Sequence, residues 1–171
     1  MKYERFEQLP VWKSSINLAA QIHGMTAKGP FRGRFSLRDQ IERAAVSVSN
    51  NIAEGFERGT TQELLTFLYI ARGSAGEVRS MLCLLDELPG FADLKSEISN
   101  LKSVAEGISR QLRAWADSLQ NSSIKGQRYL TEKTRQVEKA ARERKEFLEK
   151  LRQIREQHIP GSAIAEKQPA D

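Results

Sequence analysis

Residues 43–78 read RAAVSVSNNIAEGFERGTTQELLTFLYIARGSAGEV, two helical patterns joined through one Gly-punctuated turn, and that joint decides the fold. Upstream of it, Ser36 with Asp39 three residues on has the spacing of a capping box and predicts the start of a helix. That helix carries Leu37, Ile41, Ala44 or Ala45, Val48 and Ile52 at helical spacing and stops at Gly55. Downstream, Thr60 and Glu63 form a second box, followed by Leu64, Phe67, Leu68, Ala71, Ala75, Val78 and Leu82 until Leu88-Pro89-Gly90 breaks the pattern. A turn this short makes the two helices antiparallel neighbours.

Working outward, a first helix begins near Pro10 or Val11, where proline suits a first turn. Its stripe is Trp12, Ile16, Ala19 and Ile22 or His23, and it breaks between Gly24 and Pro30. A fourth helix gives the cleanest signal: Leu94, Ile98, Leu101, Ala105, Ile108, Leu112, Trp115 and Leu119 alternate four- and three-residue steps, the seam of a bundle or coiled coil. Beyond the interruption at Asn121-Ser122-Ser123 and Gly126, a charged helix from about Gln127 to Gln157 carries a thin stripe of Val137, Ala140 or Ala141, Phe147 or Leu148, Leu151 and Ile154. The expected fold is all-α: an antiparallel up-and-down four-helix bundle over 1–121, a basic helical extension over 122–157 and a disordered tail over 158–171.

Composition agrees. At 171 residues, 39% hydrophobic and 29% charged, the chain supports one well-buried core and has too few β-branched and aromatic residues for a sheet protein. No apolar run approaches a membrane span, and the acidic, Pro-interrupted start is no signal peptide, so the expected location is cytoplasmic with no membrane partner. The lone Cys83, inside Met81-Leu82-Cys83-Leu84-Leu85, reads as a small buried hydrophobe. With only His23 and His158, and no Glu-x-x-His pair, no metal or other cofactor is expected.

The formal charge of +5 is unevenly placed. Residues 1–124 hold 15 Lys and Arg against 14 acids, residues 125–157 hold 11 against 6, and residues 158–171 hold 1 against 2. Within the neutral bundle, Lys28, Arg32, Arg34 and Arg38 form a loop with no acid until Asp39, and Phe31 and Phe35 lie among them. Guanidinium groups beside rings suit nucleic acid, RNA or DNA, through phosphate contact and base stacking. Lys125, Arg128, Lys133 and Arg135 open the basic extension and are the second candidate surface. The bland alternative is that both phenylalanines fold back on the bundle while the arginines are merely solvated.

Asn51, Glu54, Arg72, Ser74 and Glu77 lie near the apolar faces of the second and third helices. A facing carboxylate and guanidinium there fits a structural pair that fixes register. No nucleophile or histidine partner accompanies the carboxylates, so no catalytic residue and no small-molecule substrate is expected. Gly73 and Gly76, inside the third helix, each sacrifice about 1 kcal/mol relative to alanine. Close approach by a neighbour, within the bundle or from a second subunit, would explain them.

The strings Asn51-Ile52-Ala53-Glu54-Gly55 and Phe67-Leu68-Tyr69-Ile70-Ala71-Arg72-Gly73-Ser74, with the opening FEQLPVW at 6–12, resemble the signature of a family of small bacterial four-helix-bundle proteins. That family comprises ribosomal RNA intervening-sequence proteins and the accessory proteins of diversity-generating retroelements. The resemblance covers most of residues 3–119. It implies a homo-oligomer, a ring of five, with basic surfaces presented to nucleic acid. In the retroelement members it further implies a hold on a reverse transcriptase and its template RNA. The expected function is a non-catalytic nucleic-acid-binding and assembly protein; the alternative is a homo-oligomeric protein-interaction scaffold without nucleic acid.

Overall fold

The computed structural model describes residues 3–122 and 132–158, with side chains in the second stretch over 140–154. Its elements are all helical: α1 (Pro10–Thr26), α2 (Phe35–Glu57), α3 (Thr61–Glu87), α4 (Lys95–Gln120) and α5 (Glu132–His158), with 3-10 turns at Phe6–Gln8, Gly29–Phe31 and Ala92–Leu94. The chain divides into two units, residues 1–128 and 129–171. In the first, α1 packs on α2 and α4, and α3 packs on the same two helices, so that four amphipathic faces enclose one core. Contacts between α2 and α3 join Gln40 to Glu77, Ser47 to Ser74 and Gly55 to Leu64, so numbering rises on one helix as it falls on the other. The same holds for Tyr69 with Gln120, Arg79 with Glu106 and Asp86 with Lys102 between α3 and α4.

The joint that decides the fold forms much as its residues dictate. Thr60 caps α3, its hydroxyl accepting from the Glu63 amide at 3.2 Å and meeting the Glu63 carboxylate at 2.8 Å. Ile41, Ala44, Ala45, Val48 and Ile52 of α2 are buried, as are Leu64, Leu68, Ala71, Ala75, Val78 and Leu82 of α3. Two details differ. Gly55 does not stop α2, which runs on to Glu57; it is buried inside the helix, against α3. The Ser36 box is not used either: α2 begins one residue earlier, at Phe35, with Arg34 in the capping position and no side-chain cap.

Other departures are errors of helical phase. On α1 the core takes Val11, Ser15, Leu18, Ile22 and Met25 with Ala19, while Ile16 is exposed and Trp12 half-buried. A buried serine conceals that phase in the sequence, and Ser15 satisfies itself by donating to the Val11 carbonyl at 2.7 Å. Cys83 is exposed, contrary to expectation, because Met81, Leu82 and Leu85 occupy the inner face and leave Cys83 and Leu84 outside. On α4 the seam holds from Leu94 to Leu112, then passes to Ala116, leaving Trp115 and Leu119 half-buried. Among the described residues no helix is long and apolar enough to cross a membrane.

Candidate nucleic-acid interface

The basic loop between α1 and α2 is held at several points. Phe31 is 3% exposed and meets the buried Phe91 edge-on, ring centroids 5.0 Å apart. From this anchor the chain makes a tight turn, Arg34 N–H donating to the Phe31 carbonyl at 3.0 Å. Arg32 has φ −61 and ψ 125, and Gly33 has φ +78. These are the angles of a type II turn, whose third position demands the left-handed conformation that glycine adopts freely. Arg32 therefore sits at the tip of a braced turn. Phe35, the first residue of α2, is 75% exposed, so the two phenylalanines have opposite fates.

Three of the four cations in the loop already have protein partners. Lys28 pairs with Glu97 of α4. The Arg34 guanidinium lies 4.7 Å from the centroid of the Phe91 ring and donates to the Pro89 carbonyl at 3.1 Å. Arg38 pairs with Glu42 at 2.9 Å, one turn along α2. Arg32 is exposed and takes part in no such contact. A half-exposed pair contributes little to stability, so Lys28 can exchange its carboxylate for a phosphate at small cost, whereas Arg38 is held by the largely buried Glu42. Arg34, wedged on Phe91, is a structural residue.

Glu42 ties the two ends of the loop together. Its carboxylate accepts from the buried Thr26 hydroxyl at the end of α1 and from Arg38, with His23 Nδ1 3.5 Å away. Burial pushes this carboxyl up, but the Thr26 and Arg38 hydrogen bonds and the fields of His23 and Arg38 outweigh it and hold Glu42 below its usual value. Glu42 is legible as a partner of Arg38 from the four-residue spacing alone. Glu97, Pro89 and Phe91 are not, since they reach the loop from more than fifty residues away.

The polar cluster assembles differently from its expected form. Asn51 donates to the Ser47 carbonyl at 2.7 Å and to its hydroxyl at 3.0 Å, and Ser47 meets Ser74 across the α2–α3 contact at 3.0 Å. Ser47, which sequence reasoning missed, is the bridge; a serine four residues before Asn51 was the available signal. Glu54 pairs along its own helix with Arg58, Glu77 accepts from Gln40 at 3.3 Å, and Arg72 takes no part in either contact. A hydroxyl and amide network thus stands where a carboxylate–guanidinium pair was expected, because Glu54 and Glu77 both face solvent. Gly73 and Gly76 have nothing among the described residues within 4 Å of an added Cβ, so the close approach that would explain them is not made inside the bundle.

Of the second surface, Lys125 and Arg128 lie outside the described residues, and Lys133 and Arg135 belong to the first turn of α5. Over its described side chains α5 exposes Phe147, Leu148, Leu151 and Ile154 along one side, with Arg142 and Glu146 paired at 3.0 Å elsewhere. Among the described residues no three His, Cys, Asp or Glu side chains gather as a metal site.

A family model described as 23S rRNA-intervening sequence protein matches residues 7–114. The chain belongs to that family. The matched span holds α1, α2, α3 and most of α4, including the whole basic loop, and stops short of α5. No curated protein matches the chain.

Proposed function

We propose that this member of the 23S rRNA-intervening sequence protein family is a non-catalytic nucleic-acid-binding and assembly protein, built as an antiparallel up-and-down four-helix bundle with a basic C-terminal helix. Arg32 carries the reading: a cation at the tip of a turn locked by Phe31, Gly33 and Arg34, in a loop with no acid between Lys28 and Arg38. The turn fixes the backbone that carries Arg32, which lowers the ordering cost of taking a phosphate, and each phosphate neutralised releases counterions. The family description, with ribosomal RNA in its name, makes RNA the favoured polyanion. In a retroelement setting the same protein would organise a reverse transcriptase and its template RNA. Titrating the full chain with RNA at rising salt should show affinity falling steeply, log K against log salt having a slope of about −0.7 per phosphate for single strands. Failure to bind at low salt would remove the proposal. Replacing Arg32, Arg34 and Arg38 together is a poor variant for this purpose, since losing Arg34 strips Phe91 and Pro89 of their partner and disturbs the fold.

A homo-oligomeric assembly, of which a five-membered ring is the form the family resemblance implies, is favoured by the outer face of α3. Tyr69, Ile70 and Leu84 are exposed there on the same side as Gly73 and Gly76. Two interior glycines each forfeit about 1 kcal/mol of helix propensity, and among the described residues nothing approaches within 4 Å of an added Cβ to compensate. Gly73→Gln should restore that propensity and raise the thermal stability of an isolated bundle, while blocking a second subunit. Light scattering is expected to show an oligomer for the parent and a smaller mass for the variant. A parent that is monomeric at micromolar concentration, or a variant of unchanged mass, would rule out this face.

A further inference from the structure

We infer that the loop recognises an unpaired base: a nucleobase of single-stranded RNA stacks on Phe35 while Arg32 holds a neighbouring phosphate. The inference rests on the nucleic-acid reading above and specifies the form of RNA it takes. Phe35 is the most exposed of the large hydrophobic residues on the helical bundle, at 75%, although burying a phenylalanine is ordinarily favourable. The fold had the means to cover a ring here and used it on Phe31, which fills the space against Phe91. Phe35 begins α2, so its backbone is fixed, and three residues of chain keep its Cα within about 11 Å of that of Arg32.

Its surroundings are cationic. Arg32 has no partner, Arg34 is the immediate neighbour of Phe35 in the chain although its guanidinium rests on Phe91, and Arg38 lies one turn further along α2 paired with Glu42. The other nearby acid on the helix, Asp39, is itself paired with Arg43. An exposed ring among cations fits a base with its phosphate better than it fits an apolar protein surface. Tyr69, also exposed, differs in both respects: its hydroxyl accepts from Gln120 at 2.8 Å and Ile70 lies beside it, so it belongs to an apolar face. A duplex keeps the faces of its bases stacked inside and offers a protein only phosphates, 2′-hydroxyls and groove edges, so Phe35 has use only for a strand whose bases are free.

The test uses the full chain and a fluorescein-labelled RNA of mixed sequence, about 16 nucleotides long, alone or annealed to its complement. Phe35→Ala should weaken single-strand binding roughly 5- to 150-fold. Duplex binding and the salt slope should stay as in the parent, and Phe35→Trp should retain single-strand affinity. Arg32→Gln should instead flatten the slope by about 0.7. If the parent binds the single strand with steep salt dependence and Phe35→Ala binds equally well, base stacking is wrong and the nucleic-acid function stands. If the parent binds neither form, the function itself falls. Were Phe35→Ala to bind RNA normally but lower the mass seen by light scattering, Phe35 would be a protein contact and the inference overturned.

Discussion

Truncating Leu101 or Ile108 to alanine is expected to destabilise the protein by about 2–5 kcal/mol. Both lie in the middle of α4, fully or almost fully buried, on a helix that packs against α1 and α3 at once. Removing three carbons from a side chain with neighbours on two sides leaves a cavity that neither helix can fill without leaving the other. The loss therefore includes a cavity contribution as well as lost transfer energy. Arg110, exposed on the same helix and paired only with Glu106 at 3.1 Å, should shift stability by less than about 0.5 kcal/mol when changed to alanine. Urea unfolding at one fixed protein concentration checks both, the concentration being held because association would shift the midpoint. A Leu101 variant within about 0.5 kcal/mol of the parent would remove α4 from the core and with it the four-helix arrangement.

The seam of α4 is also where the sequence is most nearly sufficient, and its single failure has a simple cause. Leu94 through Leu112 follow a seven-residue repeat and all are buried, but a straight α-helix drifts about 20° per heptad against such a repeat. After three heptads the drift is about 60°, enough to turn Trp115 half outward and bring Ala116 to the core. Leu119 keeps the angular position of Leu101 but lies at the end of the helix, next to its last residue, Gln120. Residues alone do not say whether a helix will supercoil to keep its seam or remain straight and lose it. On α1 the obstacle was different: the buried stripe passes through Ser15, and a hydroxyl that bonds its own helix looks polar in sequence yet behaves as core.

The candidate interface was legible as a composition and not as an arrangement. Four cations, two phenylalanines and no acid before Asp39 marked the segment from Lys28 to Arg38. Which of these residues face a ligand depends on Phe91, Pro89 and Glu97, residues of the α3–α4 connection and of α4 that only the folded chain brings near. Of the two local capping signals, Thr60 with Glu63 is made and Ser36 with Asp39 is not, while Arg38 meets Glu42 at a four-residue spacing that the sequence also offered. Helical spacing offers such pairs before tertiary structure exists. The facing carboxylate and guanidinium expected in the polar cluster did not form: Glu54 took the nearer partner, Arg58, four residues away on its own helix.

Gly55→Ala is expected to destabilise the protein by about 1–2 kcal/mol, whereas Gly107→Ala should stabilise it by up to about 1 kcal/mol, although both glycines lie inside helices. Both substitutions gain the same helix propensity, so the sign is set by what the new methyl meets. At Gly107 it meets open space. At Gly55 it would stand 2.6 Å from Phe67 Cβ and 3.3 Å from a Leu64 methyl, and a Cβ cannot swing aside as the tip of a long side chain can. Phe67 is pinned further by Arg58, whose guanidinium lies 5.1 Å from its ring centroid. Relief thus requires α2 and α3 to separate near their turn, opening the packing of Ile52, Leu64 and Leu68. Overpacking of this kind typically costs 1–3 kcal/mol, which exceeds the gain from propensity. Thermal or urea melts of the two variants decide the matter: a Gly55→Ala protein as stable as Gly107→Ala would mean that the helices part freely there, and that glycine at this joint is not needed for their close approach.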